Sequence, residues 1–109
     1  MVRLLNQADW GEDRGRIQRL NGWVYYPLLL EAYDTLQEEA LFPSAIHGPA
    51  HIHRGLLLSA LVCQGEGVGE GMVRQVFRAA SYHDVGRTFD GYDVDHGARS
   101  ALRLAELTG

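Results

Sequence analysis

One segment of the chain is apolar on nearly every face of a helix, and it limits the fold more than any other feature. Between residues 50 and 63 most side chains are aliphatic, and Gly48 followed by Pro49 is a favoured helix start. A helix that is apolar all round is normally buried, so we expect other helices to cover it. The aliphatic residues of this segment are Ile52, Leu56, Leu57, Leu58, Ala60, Leu61 and Val62.

Three further helices are predicted from apolar residues that recur at helical spacing, over residues 23–40, 70–84 and 96–107. No stretch alternates as a strand would, so the sequence predicts an all-α fold, a compact helical bundle. In the last helix the predicted apolar face consists of Ala98, Ala101, Leu102 and Ala105.

The length of 109 residues is enough for one domain and too little for two. We expect a single domain over 1–109, with 1–21 as a polar arm or short helix and 44–107 as the core that carries the motifs.

The N-terminal residues turn polar early and no apolar run is long enough to span a membrane, so we expect a cytoplasmic protein without a membrane partner. The single Cys63 cannot form an internal disulfide and is most simply a small buried hydrophobe.

The charged residues narrow the function classes. The formal net charge of -4 argues against a nucleic-acid partner, and all 10 positive charges are Arg. Without Lys, the chain has neither a lysine Schiff base nor a P-loop lysine, and a phosphate must be held by guanidinium groups, metals or backbone N–H groups. Trp10, Tyr25 and Tyr26 either form the face of a homodimer or pack internally.

Two ionisable residues end the apolar stripe of the third helix. His83 and Asp84 follow Ala80 on the side that should face the core, where burial without a partner is costly. Either they bind a metal ion, or they form a structural hydrogen bond or a helix cap. His51 lies in the first turn of the preceding helix, and antiparallel packing would bring it to His83 and Asp84. Three protein ligands with open positions for water are typical of a catalytic metal site.

Three segments together resemble the HD-domain superfamily of metal-dependent phosphohydrolases. They are IHGPAHIHR at 46–54, the His-Asp doublet within SYHDVGR at 81–87, and DGYDVDHGARSA at 90–101. The resemblance covers over half of the chain and implies a helical HD-type domain that holds a divalent ion (Mn, Mg, Fe, Zn or Ni). The superfamily normally supplies a further Asp on a later helix, whereas only Glu106 is acidic after Asp95 here.

The resemblance also assigns roles. It implies that His51, His83 and Asp84 are metal ligands, with His96 as a further ligand or a neighbour of one. His47 would contact substrate or a second metal ion; the alternative is a loop His that bonds to backbone. The residues predicted to bind substrate are His47, Arg87 and Arg99, and those predicted to be catalytic are Asp84 and Arg87. Arg87 could instead pair with Asp90 or Asp93. Asp90, Asp93 and Asp95 form an acidic loop, in which Asp90 or Asp93 either positions water or a second cation or caps the loop.

The function expected from these residues is hydrolysis of a phosphate ester or phosphoanhydride of a nucleotide-like small molecule. The alternative is a catalytically weakened HD domain that serves as a ligand-binding or regulatory module, which the absent final Asp favours. A short nuclease is the least favoured hypothesis because the chain is acidic and lacks Lys. His53 faces away from His51 and is predicted to be a surface or packing residue.

Overall fold

The computed structural model describes residues 18–108, and within this range all regular secondary structure is helical. The α-helices are α1 (Tyr26–Thr35), α2 (Pro49–Glu66), α3 (Glu70–Tyr82) and α4 (His96–Thr108), with 3-10 turns at Leu20–Gly22 and Glu38–Ala40. The predicted all-α bundle is confirmed. No helix in the described range is long and apolar enough to cross a membrane. Most of the predicted N-terminal arm, residues 1–17, lies outside the described residues.

The hydrophobic core forms where α2 packs against α1 and α3. Its fully buried side chains come from these helices and from the turn before α1: Leu20, Leu29, Ile52, Leu56, Leu57 and Val73. The core therefore draws on residues before position 44 as well as on the segment 44–107.

The helix α1 is shorter than its predicted range of 23–40, which is wrong at both ends. It begins at Tyr26, and Pro27 lies in the first turn, where a missing N–H costs little. It ends at Thr35 because Leu36 adopts an extended backbone (φ -63°, ψ 123°) and is buried in the core. Tertiary packing thus overrides the helical period at this end.

The helix α2 begins at Pro49 as predicted and runs to Glu66, a little beyond the apolar segment 50–63. It ends because Gly67 adopts the left-handed conformation (φ 67°), from which its N–H donates to the Cys63 carbonyl at 3.0 Å. The prediction that α2 is buried all round is wrong, since Leu58 and Val62 are 58% and 63% exposed. Within the described residues, the neighbours of α2 cover the opposite side of the helix.

A short turn at 67–69 joins α2 to α3, so the two helices lie side by side and antiparallel. The predicted stripe of α3 faces the core: Val73 and Phe77 are buried, and Val76 and Ala80 pack against the core. The helix ends at Tyr82, two residues before the predicted end at 84. Its C-terminal end therefore lies beside the N-terminal end of α2.

The helix α4 occupies the predicted range with one residue added, but its predicted apolar face is wrong. Ala98, Ala101, Leu102 and Ala105 are all exposed. The first half of the helix packs through polar contacts to Gly86, whose N–H donates to Ser100 Oγ at 2.8 Å and whose carbonyl accepts from Arg99 Nε at 2.9 Å. Near its end, Leu107 packs against the hydrophobic core. A Cβ on Gly86 would lie 2.4 Å from the backbone nitrogen of Ser100, so only glycine fits this contact.

Candidate metal centre

The carboxylate of Asp84 lies at the centre of the site, and its side chain is only 3% exposed. Asp84 follows His83, the C-cap residue of α3. Imidazole and guanidinium groups reach it from the segment before α2, the start of α2, the end of α3 and the start of α4. An ionised carboxylate that is this buried requires positive or hydrogen-bonding partners.

Three imidazoles surround one oxygen of this carboxylate, Oδ2. His47 Nδ1 is 3.5 Å from it, His51 Nε2 is 3.2 Å and His83 Nε2 is 3.1 Å. The Nε2 atoms of His51 and His83 are 3.4 Å apart. The antiparallel packing of α2 and α3 thus brings together the three residues that the sequence predicted as ligands, and His47 joins them.

The other oxygen, Oδ1, faces two different groups. Arg87 Nε donates to it at 2.8 Å, and His96 Nε2 lies 3.5 Å away. His96 therefore reaches the same carboxylate as the other three imidazoles, but from the opposite side.

The backbone before α2 fixes the position of His47. The Oγ of Ser44 accepts from the N–H of Ile46 at 3.0 Å and from the N–H of His47 at 3.3 Å. Gly48 packs so closely that a Cβ there would lie 2.1 Å from the Ser44 carbonyl oxygen. This tight turn aims His47 at the centre, and Pro49 then starts the helix whose first turn carries His51.

Backbone carbonyls set the tautomers of two imidazoles. His83 Nδ1 donates to the Ala80 carbonyl at 3.0 Å, and His96 Nδ1 donates to the Asp93 carbonyl at 2.7 Å. In the neutral form of each ring, Nε2 then carries a lone pair, and it faces Asp84. Two acceptors at this separation repel unless a proton or a metal ion lies between them, and such carbonyl contacts are usual for metal-binding His.

The electrostatics favour the protonation states that bind metal. Burial opposes ionisation of Asp84, but the hydrogen bond from Arg87 and the nearby charges of His83 and His47 outweigh it, so the pKa of Asp84 is lowered. The pKa of His51 is also lowered, mainly by burial, and Asp84 opposes this only in part. At neutral pH Asp84 is anionic and His51 is neutral, as metal ligands must be.

The spacing of the donor atoms fits a metal ion. Ligand atoms of a tetrahedral zinc site, each about 2.0–2.1 Å from the ion, lie about 3.3 Å apart. The three imidazole nitrogens lie 3.1–3.5 Å from Asp84 Oδ2, His51 and His83 are 3.4 Å apart, and the donor atoms of His47, His51 and Asp84 all lie within 4.8 Å of one another. The Nδ1 of His47 is buried without a hydrogen-bond partner among the described residues, which is costly unless a cation takes its lone pair. His47, His51 and Asp84 form a group that could hold a metal ion.

Both arginines predicted to bind substrate are bonded within the protein. Besides Asp84, Arg87 donates from Nη1 to the Gly91 carbonyl at 3.2 Å, while Arg99 pairs with Asp93 in addition to Gly86. The predicted alternative for Arg87, a pair with Asp90 or Asp93, is not what the structure has. The roles of Arg87 and Arg99 toward substrate stay predictions.

The acidic loop makes one capping contact, at Asp93, which was one of its two predicted uses, and one contact to the segment before α2, at Asp90. Asp90 accepts from the Ser44 hydroxyl, and Asp93 Oδ1 accepts from the Asp95 N–H at 3.2 Å. Elsewhere, Cys63 is buried and burial raises its pKa, as expected of a packing residue. His53 is also a packing residue: it pairs with Glu38, and its ring contacts Tyr33.

Two contacts of the centre were not predicted from the sequence. His47 lies with the candidate metal ligands, and the signal for this was its spacing of four residues from His51. The pairing of Arg87 with Asp84 was signalled only by their separation of three residues across a turn, in which the Arg87 N–H donates to the Asp84 carbonyl at 3.1 Å.

A separate open cavity of about 630 Å³ lies between α1, α3 and the end of α4. Its lining includes Leu28, Glu31, Arg74, Phe77, Tyr82 and Leu107, and none of the residues around Asp84. Arg74 is paired there with Glu31 and Glu70. The concentration of His and Asp donors is thus outside this cavity, on another face of the molecule.

Comparison of the chain with protein-family models, with curated proteins and with solved structures finds no match in any of the three. The chemistry of the centre therefore rests on its own donor atoms and their geometry.

Proposed function

We propose that this protein is a metal-dependent phosphohydrolase of the HD-domain type, acting on a phosphate ester or phosphoanhydride of a nucleotide-like small molecule. The observation that carries the proposal is the convergence of three imidazole nitrogens on Oδ2 of the buried Asp84, at 3.1–3.5 Å. Imidazole and carboxylate donors with this spacing are typical of hydrolytic metal centres. The order of the three motif segments along the chain supports the same superfamily.

The donor set favours particular metals. Three imidazoles and one carboxylate suit Zn, Fe or Ni better than Mg, which prefers oxygen ligands and keeps several waters. Mg is therefore the least favoured of the five candidate ions. His47, His51, His83 and Asp84 would hold the ion, and His96 could join it only from the Oδ1 side of the carboxylate.

Each protein group has a distinct task. When bound, a divalent ion polarises a phosphoryl oxygen and lowers the pKa of a water that it holds. Arg87 keeps Asp84 ionised and turned so that Oδ2 faces the imidazoles, and the Ala80 carbonyl keeps the lone pair of His83 directed inward. Of the two arginines, Arg99 is the better phosphate ligand because its side chain is 39% exposed, against 11% for Arg87.

A second function is supported by a different observation. Among the described residues, the only carboxylate in the donor group is Asp84, and both nearby guanidinium groups already have internal partners. A single carboxylate balances only half of a 2+ charge, so the ion would be held less tightly than by two. This favours the weakened module that binds a phosphorylated ligand without rapid turnover.

Metal analysis followed by reconstitution tests the proposal. The protein is stripped with chelator and loaded separately with Zn, Fe, Ni, Mn or Mg, and hydrolysis is measured on a panel of nucleoside phosphates and simpler phosphate esters. We expect one ion per chain at saturation with Zn, Fe or Ni, and hydrolysis that depends on it. Loading without hydrolysis of any ester would favour the binding module.

The matched variants are His51→Gln and His53→Gln, two changes in the same helix. We expect His51→Gln to lose both metal and hydrolysis, and His53→Gln to retain both, because His53 contacts Glu38 and Tyr33 instead. Equal loss in the two variants, or no metal bound by the unchanged protein, would overturn the proposed function.

A further inference from the structure

Tyr92 lies in the loop that joins Arg87 to α4, and this loop is tied to the centre on both sides of Tyr92. On one side, the carbonyl of Gly91 accepts from Arg87 Nη1 at 3.2 Å. On the other, the carbonyl of Asp93 accepts from His96 Nδ1 at 2.7 Å. Arg87 and His96 both reach the central carboxylate with another nitrogen, so the backbone at Tyr92 is held one side chain away from the centre.

Several large apolar side chains of this loop are exposed to solvent. Tyr92 is 90% exposed and Val94 is 70% exposed, and Phe89 is about half exposed. The carboxylate of Asp93, by contrast, is nearly buried against Arg99. Large apolar groups that are exposed on a loop tied to the centre on both sides indicate a binding surface.

We propose that Tyr92, together with Phe89 of the same loop, binds an aromatic group of the substrate while the phosphate reaches the metal centre. This inference rests on the proposed function, and it narrows the substrate class to phosphate esters that carry a nucleobase or another flat aromatic ring. The occupant is a part of the substrate because the exposed rings belong to a loop that is held on both sides by residues in contact with the central carboxylate.

The chemistry of the ring suits this task. A phenol presents an apolar face for stacking and a hydroxyl that remains in water, so it can stay exposed before the ligand binds. Stacking on an aromatic side chain tolerates different bases, because every base has a π-face. Asp93 is paired with Arg99, so its negative charge is balanced and repels an incoming phosphate less.

A pair of esters tests the inference on the metal-loaded protein. Phenyl phosphate carries an aromatic group and glycerol 3-phosphate does not. We expect Tyr92→Ala to lower kcat/KM for phenyl phosphate about tenfold, as the loss of one stacking contact implies, and to leave glycerol 3-phosphate unchanged. Tyr92→Phe should keep the preference. The control is Leu102→Ala, which removes an exposed apolar side chain from the face of α4 turned away from His96.

A binding measurement separates this inference from the proposed function. Calorimetry with phenyl phosphate and with inorganic phosphate needs no turnover, and we expect the metal-loaded protein to bind phenyl phosphate more tightly, with the difference lost in Tyr92→Ala. If neither ester is hydrolysed but phenyl phosphate still binds more tightly than inorganic phosphate, the proposed hydrolysis is wrong and the aromatic site is supported. Equal affinities for phenyl phosphate and inorganic phosphate would overturn the aromatic site, and so would an equal loss of kcat/KM for both esters in Tyr92→Ala. Neither result would contradict the proposed hydrolysis.

One further outcome would reassign the surface. If sedimentation shows a dimer of the metal-loaded protein that Tyr92→Ala dissociates, the loop contacts a second copy of the chain and the inference about substrate is wrong. A monomer at all concentrations in both proteins is the expected result.

Discussion

Arg87 Nε donates to Oδ1 of Asp84 at 2.8 Å, and this contact divides the carboxylate into two sides. The oxygen Oδ2 is left to face His47, His51 and His83, while Oδ1 is committed to a permanent positive charge. Arg87 is thus a fixed counter-ion that keeps the centre intact without a metal ion. It also places a cation where a second metal ion on Asp84 would have to lie.

Replacing Arg87 by Ala should destabilise the metal-free protein by about 2 kcal/mol, the contribution of a hydrogen bond to a charged group. This loss of stability should be smaller than the loss caused by a buried charge without any partner, because the imidazoles beside Oδ2 can take up protons and balance Asp84. Urea unfolding in chelator measures it. Saturating metal should restore part of the stability, since the ion then neutralises Asp84.

The control for this change is Arg103→Ala, which removes an exposed guanidinium paired with Glu106 on α4. A surface pair of this kind should contribute less than about 0.5 kcal/mol. If Arg87→Ala and Arg103→Ala unfold at the same urea concentration, the contact with Asp84 does not stabilise the protein as described.

The change His47→Gln distinguishes the metal-ligand role from the substrate role that the sequence predicted. With its Nδ1 buried and 3.5 Å from Asp84 Oδ2, His47 should act as a ligand, so metal affinity should fall at least about tenfold. A competition titration with a coloured chelator measures this. An unchanged metal affinity with a raised KM would instead support the substrate role.

The apolar spacing predicted which segments are helical, but not which of their sides are covered. Leu58 and Leu102 both lie on apolar stripes, yet both are exposed, because periodicity identifies an apolar face without specifying a partner for it. The early end of α1 at Thr35 has a similar cause. Burial of Leu36 is a tertiary effect, and no local pattern around it marks the change of backbone.

In the candidate metal centre, too, one part could be predicted from the sequence and another part could not. His51, His83 and Asp84 could be predicted because helical spacing and one short turn fix where two antiparallel helix ends meet. The orientation of His96 could not, because it depends on how α4 docks on Gly86, a contact made by backbone and hydroxyl atoms that leaves no apolar pattern. The docking of α4 on Gly86, and not the spacing of residues along the chain, therefore determines the orientation of His96.

The stability of the protein should fall at alkaline pH through Tyr33. Its buried hydroxyl donates to the His53 carbonyl at 2.6 Å, and burial, with a smaller effect of Tyr26, raises its pKa above the ordinary 10.0. Above about pH 10 the unfolded chain therefore loses a proton that the folded protein retains, so the free energy of unfolding falls as pH rises. The buried thiol of Cys63, whose pKa is also raised, acts in the same direction.

The absence of Lys makes this measurement unusually clear, because few other side chains titrate in the same range. Thermal unfolding between about pH 8 and pH 11 should show a steep fall for the unchanged protein and a shallower one for Tyr33→Phe. At the lower pH the variant should be about 1 kcal/mol less stable, because it lacks the hydrogen bond. If the stability of both proteins fell equally steeply with pH, ionisation of Tyr33 would not be the cause of the fall.

Two glycine substitutions should change stability in opposite directions. At Gly86 an added Cβ would lie 2.4 Å from the backbone nitrogen of Ser100, so Gly86→Ala must push α4 away and should cost about 1–3 kcal/mol or more. At Gly71, in the first turn of α3, nothing lies within 4 Å of the added Cβ, so Gly71→Ala should stabilise the helix by about 0.5–1 kcal/mol.

The displacement caused by Gly86→Ala should also change the candidate metal centre, because α4 carries His96 to Oδ1 of Asp84. We expect the NMR signals of the His96 ring to shift in Gly86→Ala and to stay in place in Gly71→Ala, with unfolding measured on the same samples. If Gly86→Ala were as stable as the unchanged protein and left His96 undisturbed, α4 could move without cost, and the contact between Gly86 and Ser100 would not be what orients His96.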